Sequence, residues 1–588
     1  MTKVSLKKLF DKTPKKEKKN VTNAIDKKMM LIAFNILAIF CIILFTMAIT
    51  PKTLQNDTFY TIKIGQDLRK SGLDYVDHYS WNYNLPYMYP HWLYDLVTSL
   101  VFDYCGGYTG IYVMTLIIAS TLGILIYFAN KRFSKNDVVS FVLTMFQMYM
   151  MKDYIAARAQ LVTFCLFVLT IILIERFLEK PNWKDAIGLI IIPIVIANIH
   201  SAVFPFYFIL YLPYLGEYII SVILDAHIIH KIYTCWLKMH IKLDNNKLKK
   251  AKKDQTEYYK KKLVELNEEL EKSDERFEKF LSKQMDRRKN PFKIKIKKNK
   301  NIIKLFIIML VCILTGLLTP IKDMPYTYTY KIMKGNTTQS ISEHLPLTLI
   351  ENIPLVISFA IFYGMLIFTR VKLTLKDWFF VGGLTLLAFM SRRQVSMLIL
   401  FDGFIFGKMV AKLFDKYDKK GTEELIKFMT TVAGELLTIL LVLSIAYTQY
   451  RPKINDQYID SNSYPVEASE WIKENLDYKN IKLFNDYNYG SYLLLQDIPV
   501  FIDSRCDLYT PEFNGTYNKE TKKYEGRDIF SDYMDVSGIR TYYDTKFEDY
   551  GVTHIITKKN SKLKMLLSKD KGYKELYSDD GFIIFEKE

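Results

Sequence analysis

Cysteine is scarce and scattered. Cys41, Cys105, Cys165, Cys235, Cys312 and Cys506 lie far apart with no C-x-x-C spacing, which argues against a zinc site and a disulfide framework. Only Cys506 falls within residues 449–588, so a disulfide inside that region is excluded. The same region lacks a Gly-rich dinucleotide fingerprint, a P-loop and a G-x-S-x-G elbow. It therefore reads as a binding surface, and no nucleotide cofactor is expected. No A-x-A cleavage site follows the first apolar run, residues 29–49. At about 20 residues that run is long enough to span a bilayer, and it is expected to remain as a membrane helix. No H-x-x-x-H spacing accompanies His91 or His200, so their sequence context fits structural hydrogen bonding better than metal ligation.

Apolar residues are what the chain has in quantity. They make up 50% of it, yet 24% is charged and the mean hydropathy is only +0.03. The apolar residues must then be concentrated in segments, as in a membrane protein with soluble parts. A net charge of +18 raises the question of nucleic acid. The basic residues, however, gather at 3–28 and 242–304, beside apolar runs, as cytoplasmic flanks do; no nucleic-acid partner is expected.

Eleven apolar runs can be drawn, at 29–49, 110–129, 138–151, 161–177, 187–199, 203–224, 302–318, 354–369, 378–390, 395–410 and 428–447. With the Lys-rich tail inside, every loop that falls inside is basic: Lys131, Arg132 and Lys135; Lys180 and Lys184; the 225–300 insertion; Arg370, Lys372 and Lys376; Lys412, Lys416, Lys419 and Lys420. The expected fold class is a polytopic α-helical membrane protein of about eleven spans with a C-terminal extracytoplasmic α/β domain. Its parts are a basic tail (1–28), a first transmembrane part (29–224) with an outer loop at 50–109, and a cytoplasmic charged helical insertion (225–300). A second transmembrane part (301–448), with an outer loop at 319–350, and the outer domain (449–588) follow. The expected location is a bacterial plasma membrane, N-terminus inside. In the insertion, Leu263, Leu266, Leu270, Phe277 and Leu281 recur at helical spacing, which predicts a helical hairpin. In the last region "NIKLFND", "VFIDSR", "VTHIIT" and "GFIIFE" read as strands, and "VEASEWIKENL" and "SKLKMLLSKD" as helices.

This topology collects polar residues on one face. Asp57 opens the first outer loop, which continues to His91; Arg158 and His200 fall at the next outer turns; Glu343 and His344 follow in the 319–350 loop, and Arg392 and Arg393 lie between two short spans. Ionisable residues at membrane depth are costly and face a cavity or a partner. Carboxylates and arginines around an outward cavity suit a phosphate-bearing lipid and a hydroxyl or amide acceptor. Displacing a sugar from a polyprenyl phosphate needs a carboxylate to take the acceptor's proton and a cation to stabilise the departing phosphate. Asp57 is the candidate carboxylate, and Arg392, Arg393 and Arg158 are candidates for the phosphate. Blander roles compete. Asp57 would equally serve as a helix N-cap, the arginines as snorkelling anchors, and "YSWNYNLPYMYPHWLY" as an aromatic belt on lipid headgroups.

An acidic residue just after the first span, a first outer loop with two short helices, about eleven spans and an external C-terminal domain resemble the GT-C superfamily of polyprenyl-phosphate-dependent glycosyltransferases. "SISEHLPLT" (340–348) resembles the S-V-S-E motif of oligosaccharyltransferase catalytic subunits, and "NDYNYGSYL" (485–493) is similar to their W-W-D-Y-G motif, with both tryptophans absent and Asn488 inserted. "NDTFYTIKIGQDL", "YPHWLYDL", "NIHS" and "VFIDSRCDLY" also look like segments of uncharacterised bacterial membrane proteins grouped with this superfamily. Asn56-Asp57 in place of an Asp-Glu pair sets the chain apart from protein mannosyltransferases.

The resemblance implies that Asp57 and Glu343 are catalytic and together hold a divalent cation, Mg or Mn. The expected substrate contacts are Arg158, His91, His200, His344, Arg392 and Arg393 from the outer-face cluster, with Asp486, Tyr487, Asp503 and Arg505 from the segments that carry the resemblance. Expected partners are the bilayer, a polyprenyl-phosphate sugar donor and a glycan, lipid or protein acceptor. Two other classes compete: a transporter or flippase of lipid-linked saccharides, and a non-enzymatic envelope scaffold. The first calls for polar sites reaching the inner face, where the loops offer little beyond basic anchors. The second would tolerate joint replacement of Asp57, Glu343 and Arg393.

Overall fold

The computed structural model describes residues 15–588 apart from 84, 226, 253–254, 288–293, 336–340, 351, 370 and 419. Residues 1–14 of the basic tail, Ser340 of the "SISEHLPLT" segment, Arg370 and Lys419 lie outside the described residues.

Each of the eleven apolar runs is largely helical, although 428–447 breaks at 430–431 between Gly421–Met429 and Val432–Tyr450. Among the described residues, five helical stretches are long and apolar enough to cross a membrane: Lys28–Ile49, Tyr108–Ser134, Ala159–Glu179, Ser201–Leu224 and Val432–Lys453. Asp137–Met150, Ile302–Leu317 and Ile353–Thr369 are shorter apolar helices. The run at 203–224 is not one continuous helix, since Phe204–Ile209 and Leu212–Asp225 are separate segments. The helix Val395–Tyr417 is long, but Asp402, Lys408 and Lys412 interrupt its apolar surface. Only 22% of the last span's apolar window is buried, and Leu436, Leu440 and Leu441 stand exposed. An apolar surface of that extent needs lipid or a partner to cover it. The 225–300 insertion folds as two helices, Ile228–Lys250 and Thr256–Arg287, packed on each other.

Helix α1 (Lys15–Ile49) ends where Pro51 disfavours a helical conformation at the residue before it. The 50–109 loop then forms α2 (Asn56–Ser71), stopped by Gly72 at φ 75°, and α3 (Trp92–Tyr104). These two helices touch at Gly65, where a Cβ would sit 2.0 Å from the Asp95 carbonyl oxygen. Only glycine permits that approach.

The hydrophobic core divides in two. One part fills the helical bundle; in the other, Phe59, Ile62 and Trp81 of the first loop interleave with Tyr492, Phe501 and Ile555 of the C-terminal region. Phe59 packs edge-on against Tyr464 and Tyr492, with ring centroids 4.9 and 5.3 Å away. Most of the aromatic run of the first loop is therefore packed within protein: Trp81, Tyr87 and Tyr89 are buried while Tyr83 stands exposed, and Trp81 Nε1 donates to the Leu483 carbonyl at 3.0 Å. It is not a lipid-facing belt, because the apolar face of the C-terminal region is there to cover it.

That region carries β1 (Leu483–Phe484), a hairpin of β2 (Thr516–Asn518) and β3 (Lys523–Glu525), and then β4 (His554–Lys558), β5 (Tyr573–Ser578) and β6 (Phe582–Lys587). The main sheet has the order β1-β4-β6-β5, with β1 parallel to β4 and the other pairs antiparallel. "VFIDSR" is not a sheet strand. Only Val500 makes an isolated bridge, to Ser80 of the first loop, and the segment then turns into a 3-10 helix at Cys506–Tyr509.

Candidate active site

Asp57 lies in the first turn of α2, but the N-cap is Gln55, and its side chain makes no capping hydrogen bond. An acidic group there is favoured by the helix dipole. Its carboxylate is committed elsewhere: Arg158 Nη2 donates to Asp57 Oδ2 at 2.9 Å. The capping role considered for Asp57 is thus replaced by an ion pair. Arg158 is the N-cap residue of the helix Ala159–Glu179. Small neighbours, Ala156, Ala157 and Ala159, let its turn approach α2, and Thr58 Oγ1 donates to the Ala157 carbonyl at 3.2 Å. Arg158 Nη1 also donates to Glu343 Oε1 at 3.4 Å; Glu343 sits on the 3-10 turn Ser342–His344. Three segments far apart in sequence thus meet at one guanidinium.

They open onto a cavity of about 330 Å³ lined by Asp57, Tyr60, His91, Arg158, His200, Glu343, His344, Arg393, Tyr487, Arg505 and Asp507 among others. Arg393 has no ion-pair partner among the described residues. Arg392 donates from Nε to the Pro346 carbonyl at 3.3 Å and lines an adjoining cavity with Arg158, Glu343 and Arg393. His91 is engaged at both ring nitrogens, by Asp95 at 2.6 Å and by the Tyr60 hydroxyl at 3.0 Å. Burial disfavours its charge, but the Asp95 carboxylate beside it prevails and raises its pKa. His200 is held by Thr163 at 3.1 Å. Burial, reinforced by the Arg393 charge, pushes the pKa values of His200 and His344 down. Both rings are neutral at neutral pH and add no cation to the site.

Other expected contacts sit differently. Asp486 caps the helix Tyr487–Leu495, accepting from the Asn488 amide at 2.8 Å, while Tyr487 lines the cavity and its carbonyl accepts from Asn56 at 2.8 Å. Asp503 is fully buried, and its carboxylate accepts from Arg505 Nε at 2.9 Å and Nη2 at 2.6 Å and from the Tyr509 hydroxyl at 2.6 Å. Arg505 Nη1 reaches Asp77 at 2.6 Å, and the guanidinium lies over the rings of Tyr79 and Tyr87. This network joins the first loop to the C-terminal region and leaves Asp503 away from the cavity lining.

Asp507, not singled out from sequence, does line the cavity. The Tyr328 hydroxyl donates to it, and burial pushes its carboxyl pKa up. The signal was the D-x-R-x-D spacing in "DSRCDLY". The 3-10 turn at Cys506 sends Asp507 to the cavity, and Asp503 stays with Arg505.

Several buried polar atoms at the site have no hydrogen-bond partner among the described residues: Gln55 Oε1, Asn56 Oδ1 and Arg158 Nε. Orphaned groups of this kind are uncommon in folded proteins and fit a site that a ligand completes. A divalent ion between Asp57 and Glu343 fits less well, because the Arg158 guanidinium already bridges the two carboxylates. Two unit charges of one sign about 4 Å apart repel by roughly 4 kcal/mol near a protein surface, and a divalent ion doubles that. Among the described residues no group of three or more His, Cys, Asp and Glu side chains is placed to hold a metal.

Comparison with solved structures now decides the fold. The apo archaeal oligosaccharyltransferase from Archaeoglobus fulgidus superposes with a TM-score of 0.50 at 12% identity, over 90% of this chain and 69% of that one. This chain shares the fold of an oligosaccharyltransferase. The complex of the Archaeoglobus fulgidus enzyme AglB with an inhibitory peptide and a dolichol-phosphate aligns over 96% of this chain and 74% of that one (TM-score 0.46, 12% identity). The form tethered by a disulfide to an acceptor peptide with an NVT sequon covers 95% and 74% (TM-score 0.45, 12% identity). No family model and no curated protein matches the sequence.

Proposed function

We propose that the protein is a plasma-membrane glycosyltransferase that moves a sugar from a polyprenyl-phosphate donor to a cell-envelope glycan, lipid or protein on the outer face, with about eleven spans and the C-terminal region outside. The observation that carries this reading is the convergence on one cavity beside the apolar bundle of Asp57, Arg158, Glu343 and Arg393, the last without an ion-pair partner among the described residues. In the transfer, an acceptor oxygen or nitrogen attacks the anomeric carbon and gives its proton to the Asp57 carboxylate. The sugar–oxygen bond to phosphate breaks, and the electron pair leaves with the phosphate. Arg158 is committed to carboxylates, so the phosphate falls chiefly to Arg393, with Arg392 beside it; a guanidinium meets phosphate oxygens with a matching fork of donors. The fold shared with an oligosaccharyltransferase supports the transferase reading.

A charge-assisted hydrogen bond is worth about 1.5–3 kcal/mol. Arg393→Ala is therefore expected to raise the donor KM by about 10- to 100-fold, with Arg393→Lys recovering part of it. Initial rates in proteoliposomes loaded with polyprenyl-phosphate sugars test this. A donor KM unchanged in Arg393→Ala would remove that residue from the phosphate site, and no transfer with any donor would remove the function.

A further inference from the structure

We infer that the Arg158 guanidinium takes the place of a divalent cation between the two site carboxylates, so that the proposed transfer runs without a metal. This rests on the glycosyltransferase reading for its chemical consequence but not for its geometry. A divalent ion serves such a site in two ways: it bridges the carboxylates, and it presents positive charge to the departing phosphate. Arg158 is placed for both. Nη2 holds Asp57 at 2.9 Å and Nη1 holds Glu343 at 3.4 Å, while the buried Nε–H has no partner among the described residues. Of the guanidinium's five N–H donors two meet carboxylates, and the partnerless Nε–H is one that a phosphate oxygen can take.

The guanidinium is fixed to the scaffold. Its residue starts the helix Ala159–Glu179, and its turn is tied to α2 by the bond from Thr58 to Ala157. Arginine does not deprotonate in proteins, so the positive charge is permanent and independent of metal supply. With Arg158 present the two carboxylates and the guanidinium sum to one negative charge, which Arg393 at the same cavity offsets. Adding a divalent ion would leave the site strongly positive, and removing Arg158 would leave two adjacent carboxylates without a cation. The site is thus built for one resident cation, and the chain supplies it.

The test titrates the full-length purified protein with Mn2+ and follows free ion by electron paramagnetic resonance. Wild type and Arg158→Lys should bind no Mn2+ that is lost in Asp57→Asn. Arg158→Gln should gain one bound Mn2+ per chain, lost again when Asp57→Asn or Glu343→Gln is added. Wild-type binding of Mn2+ that depends on Asp57 would overturn the inference, and so would failure of Arg158→Gln to gain the ion. With a polyprenyl-phosphate sugar as donor, excess EDTA should change the wild-type rate by less than about twofold; abolition would overturn the inference. Absence of transfer under all conditions would instead strike the functional reading, and the Mn2+ titration would still decide the identity of the cation.

Discussion

Asp57→Asn is expected to leave the protein expressed and folded while transfer falls by about 10²- to 10⁴-fold, the range a positioned general base contributes. The amide keeps the size of the carboxylate and an oxygen that accepts from Arg158, so the local geometry survives. It loses the charge and the capacity to take a proton. Because Gln55 and not Asp57 is the N-cap of α2, the substitution should not unravel the helix; and since asparagine caps a helix as well as aspartate, a capping role alone would leave the transfer rate as well as the midpoint unchanged. The two accounts separate in one pair of measurements, transfer rate and thermal midpoint. Lost rate with a retained midpoint supports catalysis. A retained rate removes Asp57 from the mechanism.

The second large effect lies outside the cavity chemistry. Arg505→Met should destabilise the protein by about 3–5 kcal/mol, because it strands the carboxylates of Asp77 and Asp503 without their cation. Both are buried, and the first belongs to the 50–109 loop while the second belongs to the C-terminal region. The loss should appear as separation of those two parts: a lower thermal midpoint and new protease cuts between residues 72 and 91. Arg505→Lys should rescue little, since a single ammonium cannot reproduce bonds from Nε and Nη2 to one carboxylate and from Nη1 to another. A midpoint unchanged in Arg505→Met would show that the network does not hold the two parts together.

The helices were legible wherever apolar residues run on without interruption, because bundle packing and lipid select for the same pattern. The five long apolar stretches among the described residues follow from that, whereas the two short helices of the first loop, one of them strongly polar, were implied only by the resemblance. "VFIDSR" misled for a related reason. An apolar run marks burial, and Val500, Phe501 and Ile502 are indeed buried, but against the first loop and not within a sheet. Nothing local in the sequence announces a partner more than 400 residues away in the chain, as Ser80 is for Val500.

The same distance limited the reading of the site. Placing Asp57, Arg158, Glu343 and Arg393 on one face required only the alternation of basic loops. Which of the arginines meets carboxylates and which is left for phosphate depended on the turn before the helix Ala159–Glu179 and on the 3-10 segment at Glu343. Arg158 and Arg393 are the same residue type with opposite surroundings, one bridging two carboxylates and the other without an ion-pair partner among the described residues. Likewise Asp503, Arg505 and Asp507 share one short segment, yet the chain's turn at Cys506 divides them between structure and cavity.

The most direct test of the central claim is native mass spectrometry of the protein purified from its own membrane in a mild detergent. The account predicts a bound polyprenyl phosphate or polyprenyl-phosphate sugar, depleted in Arg393→Ala and retained in Asp57→Asn. A protein that carries only bulk phospholipid, identical in wild type and Arg393→Ala, would contradict it.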